Sequence, residues 1–105
     1  VFELASTFNA YVGFGEIDPD VTLRFIKLDR ETAHAVWNKL LRLYLNTEDE
    51  EYIRSVAEKA MVLGYTRLLR RTIRRESDTD YGKACIAHYK QRLAELLERV
   101  DTLVF

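Results

Sequence analysis

Five arginines recur at the spacing that places side chains on one face of an α-helix: Arg67, Arg70, Arg71, Arg74 and Arg75. At about 100° of rotation per residue, they cover an arc of roughly 140°. Guanidinium groups bind carboxylates and phosphates through paired hydrogen bonds. The spacing therefore predicts an anion-binding surface. Its ligands are carboxylates of this chain, carboxylates of a partner protein, or phosphates.

The opposite arc of the same helix carries a mainly apolar set of side chains: Tyr65, Leu68, Leu69, Thr72 and Ile73. A helix with one basic and one apolar face packs its apolar side against a core and leaves the other side exposed. Glycine ends or bends many helices, so we expect a break or kink at Gly64, just before this segment.

The first 28 residues predict β-structure. Residues 10–17 and 21–28 are rich in strand-forming residues and flank Asp18-Pro19-Asp20, a sequence typical of a turn. This pattern predicts a β-hairpin. Residues 1–9 fit either another strand or a short helix.

From residue 29 onward the pattern is helical. Asp29 is a candidate N-cap for a helix ending near Leu45. Thr47 and Glu50 have the spacing of a capping box for the next helix. A turn at residues 77–80 then precedes a last helix with a long apolar seam, which is a candidate dimer surface. The predicted fold class is mainly α (α+β): an N-terminal β-hairpin followed by a three- to four-helix bundle.

Composition places this fold in a single domain spanning residues 1–105, with the hairpin segment at 1–28 and the bundle at 29–105. The 105 residues are 48% hydrophobic and 31% charged, which is typical of a globular chain rather than a disordered one. No apolar run approaches the roughly 18 residues of a membrane span. One cysteine, Cys85, cannot form an internal disulfide, so a cytoplasmic location is the default expectation.

The charge is unevenly distributed. Residues 61–75 carry five arginines and no acid, whereas residues 46–60 carry five acids and two basic residues, and the net charge is -1. Such blocks favour charge pairing within the chain, between copies of it, or with an acidic partner.

Two short patterns raise the question of catalysis or metal binding. Asp18-Pro19-Asp20-Val21-Thr22 resembles the nucleophile motif of the haloacid-dehalogenase phosphatases, in which Asp18 would attack phosphorus and Asp20 would act as acid and base. The resemblance covers five residues and is followed by a second strand-like run, and a turn between strands also explains it. Cys85 and His88 lie one helical turn apart, but a stable zinc site needs three or four ligands. We therefore expect no catalytic residues, no metal and no cofactor.

The sequence as a whole predicts a small non-enzymatic interaction or regulatory module that associates with itself and binds an acidic protein surface through its arginines. Trp37 or Tyr65 would serve as aromatic anchors. The alternatives are a nucleic-acid-binding protein that contacts phosphates through the same arginines, or a purely structural face whose arginines pair with the chain's own acids at residues 46–51 or 76–80 or lie in solvent. We expect no membrane partner. Arg74-Arg75-Glu76-Ser77 also resembles the acceptor pattern of basophilic protein kinases.

Overall fold

A computed structural model of the chain describes residues 2–16, 23–24 and 26–100. Its elements are α1 (Phe2–Tyr11), a short 3₁₀ helix (Gly13–Gly15), α2 (Arg30–Leu45), α3 (Glu50–Glu76) and α4 (Asp80–Leu97). Within those described ranges no residue lies in a β-strand. The predicted helical bundle is therefore confirmed, and the predicted mixed α+β class is wrong.

The N-terminal β-hairpin is the main error. Residues 10–16, which cover most of the first predicted strand, lie in the end of α1, in the 3₁₀ helix and in the turns beside it. Leu4, Phe8 and Val12 recur every four residues and are all buried, so the helical period wins over strand propensity. Residues 23, 24 and 26 of the second predicted strand are also helical, and the predicted turn at residues 18–20 lies outside the described residues.

The predicted break at Gly64 is also wrong, because α3 runs without interruption from Glu50 to Glu76. Gly64 instead lets α1 approach α3 closely. A Cβ atom built on Gly64 would lie 2.7 Å from Oδ1 of Asn9 and 2.8 Å from Cδ1 of Phe8. The glycine therefore serves helix packing and not helix termination.

Side-chain caps define where the helices begin. Asp29 caps α2 by accepting a 2.7 Å hydrogen bond from the backbone N–H of Thr32, as predicted. Asp49, and not Thr47, caps α3 by accepting from the N–H groups of Glu51 and Tyr52. The Thr47 hydroxyl accepts a hydrogen bond from the N–H of Asp49 and thereby helps to hold this capping residue in place.

A chain of aromatic rings joins α1, α2, α3 and α4. Phe8 of α1 makes edge contacts with Trp37 of α2 at 5.6 Å and with Tyr65 of α3 at 5.2 Å between ring centroids. Tyr65 in turn lies 5.9 Å from the ring of Tyr89 in α4. The rings of Phe8 and Tyr65 are almost completely excluded from solvent, at 1% and 0% exposure. This aromatic chain forms the centre of the core, and α3 is the helix that the other elements pack around.

We predict that Gly64→Ala destabilises the protein by about 1–3 kcal/mol, because the new methyl group overpacks the buried contact between α1 and α3. Alanine favours helix over glycine by up to about 1 kcal/mol, so the clash has to outweigh that gain. Urea unfolding measures the difference. Ser55→Ala, at an exposed position of the same helix, is the control and should change stability little. A Gly64→Ala variant more stable than the parent would contradict the close packing.

Candidate functional site

The predicted arginine face, Arg67, Arg70, Arg71, Arg74 and Arg75, lies on the exposed side of the C-terminal half of α3. The opposite side is anchored by Tyr65, Leu68 and Thr72, which are buried. The hydroxyl of Thr72 donates a 2.8 Å hydrogen bond to the carbonyl of Leu68, which satisfies this polar group inside the helix. Ile73, predicted to lie on the apolar side, is 48% exposed and borders the arginine face.

The arginines differ in their partners. Arg67 donates a 2.8 Å hydrogen bond to the hydroxyl of Ser6 in α1, and Arg71 also has a partner. Arg70, Arg74 and Arg75, the open arginines, make no hydrogen bond or ion pair with any residue in the described ranges. The predicted intramolecular pairing is therefore not formed by these three side chains within that part of the chain.

The neighbouring acids do not offset the open arginines. Among the acids of residues 46–51, Glu50 pairs with Arg42 of α2 at 2.8 Å. Glu76, Asp78 and Asp80 are exposed beyond the C-terminal end of the arginine face or at that end. The open arginines thus present three guanidinium groups to solvent on the last two turns of α3.

A second polar arrangement, the Glu16 cluster, is partly buried between the segment after the 3₁₀ helix, α3 and α4, and consists of Glu16, Tyr65, His88 and Arg92. The hydroxyl of Tyr65 donates a hydrogen bond to one carboxylate oxygen of Glu16 and accepts a 3.3 Å hydrogen bond from Nε of Arg92. The other oxygen of Glu16 lies 2.5 Å from Nε2 of His88. Since a carboxylate only accepts, Nε2 carries the hydrogen. Both oxygens of Glu16 are therefore occupied.

The Glu16 cluster holds the phenol of Tyr65 in its neutral form. Burial, and then the hydrogen bond to Glu16, raise the pKa of Tyr65 well above its ordinary value, and the opposing effect of Arg92 is smaller. The hydrogen bond to Tyr65 in turn raises the pKa of Arg92. Arg92 also lies over the ring of Tyr65, with Cζ 5.7 Å from the centroid, and pairs with Glu95 at 2.7 Å. Burial likewise raises the pKa of Tyr89.

Carboxylate and imidazole side chains at hydrogen-bonding distance also occur in acid–base sites, so the chemistry of the Glu16 cluster has to be considered. The side chain of Glu16 is only 11% exposed and both of its oxygens are engaged by the protein. The arrangement is that of a satisfied buried polar group that ties the segment after the 3₁₀ helix to α3 and α4.

Sequence reasoning missed the Glu16 cluster. Its four members are dispersed over more than 70 residues, and only the one-turn spacing of His88 and Arg92 is visible in the sequence. Cys85 and His88, which lie one helical turn apart, have different environments: Cys85 is buried, and His88 is hydrogen-bonded to Glu16. Within the described ranges, no group of three or more metal-ligating side chains is clustered.

A groove of about 670 Å³ lies beside the N-terminal half of α3, away from both features. Its walls mix basic and acidic side chains, including Arg54, Lys59, Glu51 and Glu58, and one of its ion pairs joins Arg99 to Glu58 at 3.2 Å. Because its walls carry both positive and negative charges, the groove does not favour an anionic ligand over a cationic one. The arginine face is the stronger candidate for a site, because its open charges are all of one sign.

No protein-family model matches the chain, and neither the curated proteins nor the solved structures contain a match. Among the described residues, no helix combines the length and the apolar composition that crossing a bilayer requires.

We predict that Tyr65→Phe lowers the free energy of unfolding by about 1–3 kcal/mol near neutral pH, because Glu16 and Arg92 lose a buried partner. A raised tyrosine pKa stabilises the fold below the unfolded value of about 10, and this contribution is lost as the pH rises above it. Loss of stability between about pH 9 and about pH 11 should therefore be shallower in Tyr65→Phe than in the parent. Tyr89 and Cys85, whose pKa values burial also raises, contribute to the loss that remains. Urea unfolding across this range measures both effects.

Tyr44→Phe is the matched control for Tyr65→Phe, because the side chain of Tyr44 is 58% exposed. This variant should match the parent in stability and in pH dependence. Equal effects of the two substitutions would contradict the role assigned to the buried hydroxyl.

Replacing two open arginines, Arg70→Ala with Arg74→Ala, should change the free energy of unfolding by no more than the roughly 0.5 kcal/mol typical of surface sites. Neither side chain has a partner among the described residues that would be lost. Thermal and urea unfolding at low salt provide the measurement, because low salt strengthens any surface ion pair. A clear loss of stability would show that these arginines pair within the protein.

Proposed function

We propose that this protein is a small non-enzymatic interaction module whose arginine face binds an acidic surface of a partner protein. The single observation that carries the proposal is the set of three open arginines on the last two turns of α3, exposed and without a partner among the described residues. Three like charges held at helical spacing repel one another unless an anion neutralises them. A carboxylate-rich partner supplies that neutralisation.

Rigid positioning supports binding. The buried side chains of Tyr65, Leu68 and Thr72 fix the rotation of α3, so the guanidinium groups project from an ordered helix and not from a loop. Less conformational freedom is lost on binding when the charges are already arranged. Arginine is also enriched among the residues that dominate protein interfaces.

Ile73 supports a protein partner over nucleic acid. Its apolar side chain is 48% exposed and lies at the edge of the arginine face, one helical turn after Arg70. An apolar contact beside guanidinium groups suits a protein interface, whereas a phosphate backbone offers no apolar group to meet it. The exposed acids at Glu76, Asp78 and Asp80 and the net charge of -1 also disfavour a polyanion.

The aromatic anchors predicted from the sequence are unsuitable. Trp37 and Tyr65 are 5% and 0% exposed and belong to the core, so neither can enter an interface without unfolding. Ile73 takes the place of those anchors in the proposed contact.

Self-association stays a prediction. The apolar seam proposed as a dimer surface is largely used inside the monomer, where Tyr89 and Leu96 of α4 are buried and Leu93 packs against the core. Leu97, the last residue of α4, is 59% exposed.

Binding is tested with a fluorescently labelled oligoglutamate peptide, followed by anisotropy at low salt. We predict that the parent binds and that Arg70→Glu with Arg74→Glu weakens binding by at least tenfold, because two attractive charges become repulsive. Lys39→Glu with Lys90→Glu is the matched control: it makes the same change in net charge at exposed positions of α2 and α4 and should retain binding.

Three results would count against the proposal. The first is no binding of oligoglutamate by the parent, and the second is an equal loss of binding in both double variants. The third is tighter binding of a mixed-sequence single-stranded DNA of similar charge, with a steep dependence on salt, which would favour the nucleic-acid alternative. Circular dichroism of each variant confirms that the helices are intact.

A further inference from the structure

We propose that Ser77 is a phosphorylation site for a basophilic protein kinase and that its phosphate prevents an acidic partner from binding to the arginine face. The regulatory part of the inference depends on the function proposed above. The acceptor site depends only on the sequence and structure around Ser77. Ser77 follows Arg74 and Arg75 by three and two residues, at the end of the surface that the phosphate would neutralise.

The structure distinguishes Ser77 from the other hydroxyl groups near the arginines. Thr72 also follows two arginines directly, but it is only 9% exposed and its hydroxyl donates a hydrogen bond to the carbonyl of Leu68. Thr79 is exposed, but its hydroxyl caps α4 by accepting a 2.9 Å hydrogen bond from the N–H of Gly82. Ser77 is exposed, and its hydroxyl makes no hydrogen bond to a described residue.

The segment around Ser77 can reach an enzyme. Ser77 is the C-cap residue of α3, and every residue from 73 to 81 is exposed. A kinase cleft takes its acceptor as an extended chain, so the last turn of α3 must open. Helix ends without buried side chains open at a small fraction of the global free energy of unfolding. The arginines and the serine can therefore enter a cleft together while the core stays folded.

The reaction uses ATP as the phosphoryl donor. The Oγ atom of Ser77 bonds to the γ-phosphorus while the bond from that phosphorus to the β,γ-bridging oxygen breaks. ADP leaves with the electron pair of the broken bond, and the hydroxyl proton passes to a base of the kinase. The product carries about 1.5 to 2 negative charges at neutral pH.

The phosphate would act on the arginine face through charge. Arg74 lies one helical turn before Ser77, within reach of a side chain three residues away. A phosphate at the C-terminal end of α3 opposes the helix dipole, so pairing with Arg74 is what stabilises it there. Once it is paired, Arg74 no longer attracts an acidic partner, and the added negative charge repels that partner.

The acceptor site is tested on the full chain with MgATP and the catalytic subunit of cAMP-dependent protein kinase, a purified kinase that selects arginine three residues before the acceptor. Intact mass spectrometry should show one added phosphoryl group, and peptide sequencing should place it on Ser77. Ser77→Ala should accept none. Ser55→Ala removes another exposed serine of α3, one preceded by a single arginine, and should be modified as the parent is. Modification of Ser77→Ala, or no modification of the parent, would overturn the acceptor site.

Regulation is tested by comparing oligoglutamate binding before and after modification. The phosphorylated protein should bind the peptide roughly tenfold more weakly. Unchanged affinity of a fully phosphorylated protein would overturn the switch and leave the proposed function intact. If the unmodified protein does not bind the peptide, the proposed function fails and the switch fails with it, whereas the mass spectrum still decides the acceptor site.

Discussion

The buried hydroxyl of Tyr65 is the constraint on which the rest of the structure depends. Its ring lies at the centre of the aromatic core, between Phe8 of α1 and Tyr89 of α4. A hydroxyl at that depth costs free energy unless it is hydrogen-bonded, and Glu16 and Arg92 supply its two partners. Because those partners come from the end of the 3₁₀ helix and from α4, one phenol fixes three elements relative to each other.

The same constraint orients the candidate site. With Tyr65 buried, the helical period places Leu68 and Thr72 on the same side of α3, and both are buried. The open arginines therefore lie on the opposite side of α3, where they are exposed to solvent. The core thus determines which charges face solvent.

Local and periodic features of the fold could be predicted from the sequence. Asp29 was identifiable as a cap because its type and its position before a helical pattern suffice. The arginine face was identifiable because a 3.6-residue period needs no tertiary information. Tertiary packing decided the features that were predicted wrongly. Gly64 has the sequence of a helix terminator but is needed where α1 crosses α3, and the strand-like residues near position 10 continue the stripe of Leu4 and Phe8.

The Glu16 cluster could not be predicted, because no local pattern connects residues 16, 65 and 88. Which partner of a charged residue lies nearby depends on how the helices cross, and a single sequence does not specify that crossing. The same holds for the open arginines: their spacing was readable, but their lack of a partner among the described residues was not.

The central claim is that the core holds α3 in an orientation that exposes Arg70, Arg74 and Arg75 as a binding site for an acidic partner. It is tested most directly by nuclear magnetic resonance, with the ¹⁵N-labelled protein titrated with oligoglutamate while arginine side-chain and backbone signals are followed. The account predicts shifts confined to the C-terminal half of α3, with the signals of Glu16 and His88 unchanged. Shifts centred elsewhere, or no shift at saturating peptide, would contradict it.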